Sequence, residues 1–321
     1  MTYIFESGLA HHIEGLIQQK RADGYAYNSE EKLLKRFDTF CVQNYPELTT
    51  VTYEMAAKWS ARPGEGDAYH NRCMSMVKVL SEYILSLGQE AYIPNFFCKA
   101  YRPVLYIPSK EEVKELLQKM DIRTSHNSEQ FRLDRECKIL FLLYFCCGLR
   151  LSEGRLLKWE HIDLDKGILT VLGSKGNKDR LVYLPQDSLP VLKNYKERQE
   201  MLFPGIDWAF PGKDPHKPVS CSGVESSFNR HWAMLPVART VDKHPTPHCL
   251  RHAFVVERFN EWMHQGIDTN TMLPYLSRYL GHKSPDETYY YYHLAGKAFD
   301  TIREKDSVSG KVIPEVIPYE E

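Results

Sequence analysis

One stretch near the C-terminal end decides the fold and function that we assign to this chain, and it runs Leu280-Gly281-His282-Lys283-Ser284-Pro285-Asp286-Glu287-Thr288-Tyr289-Tyr290-Tyr291-Tyr292-His293. A histidine lies nine residues before Tyr291, and another lies two residues after it. An aromatic helix packed on the core would account for some of the four tyrosines. It does not account for this spacing of histidines around Tyr291, so we interpret the stretch as a candidate for chemistry.

Two earlier segments place a basic side chain at an unusual position. Arg150 directly follows the apolar run Ile139–Leu149, and Glu153 lies one turn further on, where it could hold the guanidinium by a bidentate pair. The simpler alternative is a surface arginine that closes a helix. Lys175 lies in the glycine-flanked turn Gly173–Lys178, which is either a solvated hairpin or a hairpin whose lysine donates a proton to a leaving oxygen.

A third segment contains a histidine, which can carry a proton, and an arginine, whose guanidinium group can bind a phosphate. It runs Pro247-His248-Cys249-Leu250-Arg251-His252. His248 and Arg251 are three residues apart, so they share one face of a helix. His248 and His252 are four apart, which is also a metal-ligand spacing. Arg251 on the same face would repel a cation, which favours the phosphate interpretation.

Composition limits the class of protein. The 321 residues suffice for two domains, and 43% hydrophobic with 26% charged residues is typical of globular proteins. The apolar run is too short to span a membrane, no secretory signal is recognisable, and the eight cysteines form no CxxC pair, so we expect a reduced, cytoplasmic protein without membrane contact. The net charge of -1 does not indicate nucleic-acid binding, but local charge decides phosphate contact.

Hydrophobic periodicity predicts a helical first part, a linker and a mostly helical second part with a small sheet. Pro103 and Pro108 mark the linker, and Ser109 with Glu112 forms a capping-box pattern directly after it. The predicted helices are Leu9–Gln19, Glu31–Cys41, Asp67–Leu87 and Cys137–Cys147, and the predicted strands are Ile168–Leu172 and Arg180–Leu184, with helices again after Pro185.

Taken together, these segments resemble the tyrosine recombinases, which include phage integrases and the resolvases of chromosome dimers. That family shows an arginine in GLR-x-SE, a lysine in a GKGNK-type hairpin, an HxLRH motif, and LGH followed by a tyrosine in TxxYxH. All four are present here in that order, with Ser174 as a one-residue insertion. Thr288, Tyr291 and His293 fit TxxYxH in one register only, which selects Tyr291 over its three tyrosine neighbours.

The resemblance implies a mainly α (α+β) fold. Residues 1–99 would form a helical, SAM-like core-binding domain that clamps DNA, and residues 100–108 the linker. Residues 109–303 would form the catalytic domain with a small antiparallel sheet, and residues 304–321 a tail. The DNA contacts it implies are Arg72 and Lys78 in the first domain and Lys178 and Arg180 in the second.

The resemblance also implies the chemistry. Arg150 and Arg251 would bind the phosphate, Tyr291 would attack it with His248 as proton acceptor, and His282 would donate a hydrogen bond to a phosphate oxygen. Lys175 would protonate the leaving oxygen, with Lys178 as the nearby alternative, and Glu153 and His293 would support the site. The product would be a 3′-phosphotyrosyl bond, formed without metal or other cofactor.

The implied partners are double-stranded DNA and three further copies of this chain, as a homotetramer on two DNA sites. Accessory DNA-bending proteins or a partner recombinase remain open, as does the type of mobile element. The tail would dock on a neighbouring protomer or on its own domain. The alternative functions are a type IB topoisomerase, a DNA-binding protein without catalysis, and a histidine-cluster metalloenzyme.

Overall fold

The structure is a computed structural model that describes residues 3–62, 66–99, 106–122, 127–172, 179–241, 244–282, 284–289 and 291. The chain divides into two compact units, Met1–Val104 and Leu105–Glu321. Lys175, Lys178, His293 and the tail lie outside the described residues.

The described part of the first unit is helical. Its helices are α1 (Ala10–Ala22), α2 (Asn28–Asn44), α3 (Tyr53–Ser60) and α4 (Asp67–Ser86). The helix α4 packs against the other three, and the apolar faces meet in one core that includes Leu34, Phe37 and Leu80. The three helices predicted here are confirmed, with ends that differ by at most three residues.

The second unit is built from helices around one small sheet. Its helices are α5 (Lys110–Lys119), α6 (Ser128–Cys147), α7 (Leu151–Arg155), α8 (Leu189–Leu202), α9 (Cys221–Trp232), α10 (His248–His264), α11 (Thr269–Leu280) and α12 (Asp286–Tyr289). The capping box at Ser109 and Glu112 is confirmed. None of the helices among the described residues has both the length and the apolar character needed to cross a bilayer.

The helix α6 begins nine residues before the predicted Cys137, with Asn127 as its N-cap. The predicted helix begins only at Cys137 because the charged residues Asp134 and Glu136 precede it. Both carboxylates are buried in the helix and each is paired with an arginine, Arg230 at 2.6 Å and Arg132 at 2.6 Å. Paired charges therefore extend the buried face beyond what hydrophobicity indicates.

The sheet is antiparallel, in the order β1 (Ile162–Asp163), β2 (Ile168–Val171) and β3 (Arg180–Tyr183). The predicted hairpin strands are confirmed, each one residue shorter than predicted, with Val171 opposite Arg180. The two-residue strand β1 was not predicted because so short a segment shows no alternation. The mainly α fold with a small antiparallel sheet is confirmed.

Two helix ends meet the start of α10. The helices α6 and α11 end at Gly148 and Gly281, whose φ angles of 62° and 67° are left-handed and favour glycine. A Cβ atom on Gly148 would lie 2.6 Å from the ring of Phe254 on α10, so glycine also permits close packing. The last carbonyl groups of both helices thereby face the first turn of α10.

Candidate active site

A polar cleft of about 200 Å³ in the second unit gathers residues from separate parts of the chain. It is lined by Arg150, His248, Arg251, Gly281, His282, Glu287 and Tyr291. Five of these were predicted as site residues from three of the four sequence segments. The fourth segment, with Lys175, lies outside the described residues.

Arg251 forms the floor of the polar cleft from the first turn of α10 and is 1% exposed. Its Nη1 donates to the carbonyl of Gly148 at 2.6 Å, and its Nη2 donates to the carbonyl of Leu280 at 2.8 Å. These carbonyls end α6 and α11, where the helix dipole favours a cation. Burial, followed by the nearby charge of Arg150, lowers the pKa of Arg251 to about 10, so it stays charged at neutral pH.

Arg150 directly precedes α7 and is partly exposed. Its Nη2 donates to the carbonyl of Gly281 at 2.6 Å, and its Nη1 donates to Oε1 of Glu153 at 2.8 Å. The main chain of Gly281 therefore fixes Arg150 just as that of Gly148 fixes Arg251.

Glu153 accepts hydrogen bonds from two arginines. The predicted pairing of Arg150 with Glu153 is present as an ion pair at 2.8 Å, and a two-bond fork comes from Arg180, at 2.9 Å to Oε1 and 2.7 Å to Oε2. Arg150 adds its backbone N–H at 2.8 Å to Oε2. Burial raises the pKa of Glu153, but the hydrogen bonds from Arg180 and Arg150 outweigh it and lower the pKa to about 2.

Arg180 was expected to present its charge to DNA, and the structure corrects this expectation. Its side chain is 9% exposed, and its Nε donates to the carbonyl of Tyr279 at 2.8 Å. The cause is the position of β3 next to α11, which turns Arg180 toward Glu153 rather than toward solvent. Sequence spacing alone could not show this, because Glu153 and Arg180 are 27 residues apart.

His282 and His248 line the polar cleft as neutral side chains. Burial, followed by the charges of Arg251 and Arg150, lowers the pKa of His248 to about 4 and that of His282 to about 3. Nη2 of Arg251 lies 3.0 Å from Nε2 of His282, and an arginine can only donate, so that nitrogen accepts. Nδ1 then donates to Oγ1 of Thr288 at 2.7 Å, which gives the threonine of TxxYxH a structural role.

Tyr291 is 6% exposed and its ring belongs to a small apolar cluster with residues of α10 and α11, among them Phe259 and Leu276. Its hydroxyl lies 2.6 Å from Nδ1 of His252. The structure thus gives His252 the contact that the sequence assigned to His248. The four-residue spacing of His248 and His252, which also fits a metal-ligand pattern, is the sequence signal for this pair.

The remaining predicted residues belong to the first unit or fall outside the described residues. Arg72 and Lys78 are exposed on α4, with loose ion pairs of 4.0 Å to Glu30 and 3.9 Å to Glu82. Within the described ranges, no group of three or more His, Cys, Asp or Glu side chains is arranged to hold a metal ion. His248 and His252 contact each other edge-on, with ring centroids 4.6 Å apart.

Comparison with known proteins gives consistent matches. Residues 109–297 match the model of the phage integrase family. The tyrosine recombinase XerC of Alcanivorax borkumensis is 27% identical over 282 residues, covering 87% of this chain and 86% of the relative.

Solved structures show the same fold. The Tn1549 transposon integrase, in complex with a circular intermediate DNA, superposes with a TM-score of 0.64 at 14% identity, over 92% of this chain and 98% of that one. The XerH site-specific recombinase, bound to a palindromic difH substrate, gives a TM-score of 0.61 at 20% identity, over 87% of this chain and 79% of that one.

Proposed function

The chain belongs to the phage integrase family of DNA breaking and rejoining enzymes, and from this premise we propose that it recombines double-stranded DNA at specific sites through a 3′-phosphotyrosyl bond on Tyr291. The observation that carries the proposal is the polar cleft, where two fixed arginines and the tyrosine meet. XerC, XerH and the Tn1549 integrase support it as similar proteins.

In this proposal, Arg150 and Arg251 hold the scissile phosphate. A phosphodiester resists attack because its negative charge repels nucleophiles, and guanidinium groups match phosphate geometry while staying charged. Three main-chain carbonyls hold the two side chains in place before DNA arrives. Donors that are fixed in advance stabilise the transition state without reorganisation, and losing one costs about 3–4 kcal/mol.

The other groups serve proton transfer and orientation. Tyr291 attacks phosphorus, and Lys175 protonates the leaving 5′ oxygen, with Lys178 as the alternative. His248 contacts a phosphate oxygen. His282 donates to another through Nε2 once the phosphate replaces that nitrogen as the acceptor of Arg251, with the Thr288 hydroxyl then donating to Nδ1. Glu153 and His293 support the site. The phosphotyrosyl bond conserves the energy of the broken bond, so a 5′ hydroxyl from another strand can reverse the step. The scheme calls on no metal and no nucleotide cofactor.

The proposal extends to assembly and setting. Residues 1–99 act as a clamp that contacts DNA through Arg72 and Lys78, both exposed. Strand exchange between two duplexes requires four protomers on two sites, and the tail, residues 304–321, couples neighbours by docking in trans. We place the enzyme in the cytoplasm, serving a mobile element, with accessory DNA-bending proteins or a partner recombinase as possible additions.

The test is covalent trapping. A duplex site is first selected from a random pool by binding to the full chain, and is then rebuilt with a nick so that the cleaved strand cannot be rejoined. We expect a phosphotyrosyl peptide that maps to Tyr291 and is lost in Tyr291→Phe. An adduct on Tyr289, Tyr290 or Tyr292 would overturn the assignment, and binding without any adduct would indicate a DNA-binding protein that lacks catalysis.

Two controls test for a topoisomerase and for a metalloenzyme. Relaxation of a supercoiled plasmid that lacks the selected site would favour type IB topoisomerase activity. A stoichiometric metal in the purified protein, whose removal abolishes cleavage, would favour a histidine-cluster metalloenzyme.

A further inference from the structure

We propose that His252 is the proton acceptor for Tyr291 during DNA cleavage and returns that proton when the strands are rejoined. This inference rests on the proposed function, and it assigns a catalytic role to the last histidine of the HxLRH motif, for which the resemblance implied no role. His248, which the resemblance selects, lies one helical turn earlier on α10.

The contact itself carries the inference. The Tyr291 hydroxyl and Nδ1 of His252 are 2.6 Å apart, within the range for a short O–H to nitrogen hydrogen bond. Both side chains are buried, at 6% and 8% exposure, so bulk water has little access to the pair. For the hydroxyl to donate, Nδ1 must accept, which places the imidazole proton on Nε2.

The two histidines of α10 have different surroundings. His248 lines the polar cleft beside the arginines, whereas His252 does not line it and has its ring 5.1 Å from that of Tyr291. The groups that face His252 are His248 and Arg251 on its own helix, His282 after α11, and Tyr291. His248 is therefore placed to meet phosphate, and His252 to meet the nucleophile.

Electrostatics explain why the proton moves only when DNA is bound. Burial, then the neighbouring His248 and Arg251, lower the pKa of His252 to about 3, so the imidazole is neutral and its Nδ1 lone pair is available. A tyrosine has a pKa near 10, so transfer in the free enzyme is strongly unfavourable. A phosphodiester anion in the polar cleft offsets the arginine charges and raises the basicity of His252.

The proposed step balances as follows. The O–H bond of Tyr291 breaks and its proton goes to Nδ1 of His252, while Oη forms a bond to phosphorus. The bond from phosphorus to the 5′ oxygen breaks, and that oxygen takes a proton from the general acid, for which Lys175 is proposed. Rejoining reverses each transfer, with Tyr291 regaining its proton from His252.

The experiment measures single-turnover cleavage of the nicked duplex by the full chain between pH 6 and 9.5. His252→Asn keeps an acceptor oxygen near the position of Nδ1 but cannot carry the proton. We expect it to cleave about 10²–10⁴-fold more slowly at pH 7, the usual contribution of a general base. Its rate should then rise about tenfold per pH unit through the range where the native rate levels off, because hydroxide must remove the proton.

His248→Asn is the matched control, since it makes the same replacement one turn away on the same helix. It should keep the native shape of the pH profile, whatever its rate. A substrate with a 5′-bridging sulfur needs no acid, so it should rescue Lys175→Ala but not His252→Asn. The inference is overturned if His252→Asn retains the native rate and profile, if His248→Asn acquires the steep profile, or if the sulfur substrate rescues His252→Asn.

A second measurement is insensitive to partial loss of folded protein in the variant, because it compares two forms of the same variant. Fluorinated tyrosine at position 291 lowers the phenol pKa, and it should accelerate cleavage more in a His252 variant than in the native chain, since a missing base makes phenol acidity limiting. Equal effects in both proteins would contradict the inference. If the proposed function itself is wrong, the native chain forms no phosphotyrosyl adduct. That result differs from every outcome that would overturn the role of His252.

Discussion

Two buried glutamates in the second unit, Glu153 and Glu136, have pKa values that are shifted in opposite directions. Glu153 is 9% exposed and accepts bonds from two guanidinium groups and a backbone N–H. Glu136 is 6% exposed and accepts one bond from Arg132 at 2.6 Å, while its Oε2 has no hydrogen-bond partner. The pKa of Glu153 falls to about 2, whereas burial, only partly offset by Arg132, raises that of Glu136 to about 7.

Because both side chains are buried to a similar extent, the difference shows that the number of donors decides which of these two carboxylates is ionised near neutral pH. Glu153 is held ionised at all working pH values and so provides a fixed anchor for Arg150. Glu136, whose pKa lies near 7, lines a second cavity that shares no lining residue with the polar cleft. Four substitutions test this contrast.

The largest effect is expected for Glu153→Gln. It leaves Arg150 and Arg180 without their anion, and breaking such a buried pair costs about 3–5 kcal/mol of unfolding free energy. Cleavage should also fall by about 10²-fold or more, because a displaced Arg150 cannot stabilise the transition state. Denaturant unfolding and single-turnover cleavage measure the two effects. Glu136→Gln is the matched control, and an equal loss of cleavage there would remove the functional distinction.

The next effect concerns pH and Glu136. Its folded pKa of about 7 lies above the unfolded value of 4.5, so its stabilising contribution is complete below pH 4.5 and is lost as the pH rises through 7. The shift corresponds to about 3 kcal/mol. Denaturant unfolding at pH 5 and pH 8 should show this fall in the native chain and a flatter dependence in Glu136→Gln. Parallel curves for the two proteins would mean that Glu136 does not titrate in this range.

A smaller effect is expected for Arg180→Lys, which keeps the charge but loses the fork on Glu153. Hydrogen bonds to a charged group contribute about 1.5–3 kcal/mol, and one of the two contacts should survive. We expect the cleavage rate at saturating DNA to fall while DNA affinity is unchanged, because Arg180 acts through Glu153 and Arg150. A fall in affinity with an unchanged rate would return Arg180 to the DNA-contact role predicted from the sequence.

The smallest effect is expected for Asp121→Asn. Asp121 pairs with Lys138 at 2.6 Å, but the side chains are 54% and 28% exposed. Exposed pairs contribute less than about 1 kcal/mol, and salt reduces that further. Thermal unfolding at low and high salt should show almost no change, and a loss comparable to that of Glu153→Gln would refute the view that burial and donor number govern these pairs.

Sequence reasoning located the fold and most of the polar cleft, because helix caps, periodicity and motif order are local signals. It missed the start of α6 because Asp134 and Glu136 look like solvated charges until Arg230 and Arg132 are seen beside them. It assigned Arg180 to DNA because Arg180 and Glu153 are far apart in the sequence, and only the packing of β3 on α11 brings them together. It chose His248 over His252 because spacing cannot show which of two histidines on one helix faces Tyr291.

Main-chain carbonyl groups hold Arg150 and Arg251, and this determines which substitutions the site tolerates. A carbonyl group belongs to every residue type, so replacement of side chains along α6 and α11 leaves the acceptors of Arg150 and Arg251 chemically unchanged. The tolerance ends at the two glycines. A side chain at position 281 would be strained at φ 67° and would meet the guanidinium groups of Arg180 and Arg150 at 3.1 and 3.3 Å. Gly281 has no side-chain functional group, yet we expect its substitution to be tolerated less well than substitutions elsewhere along α11.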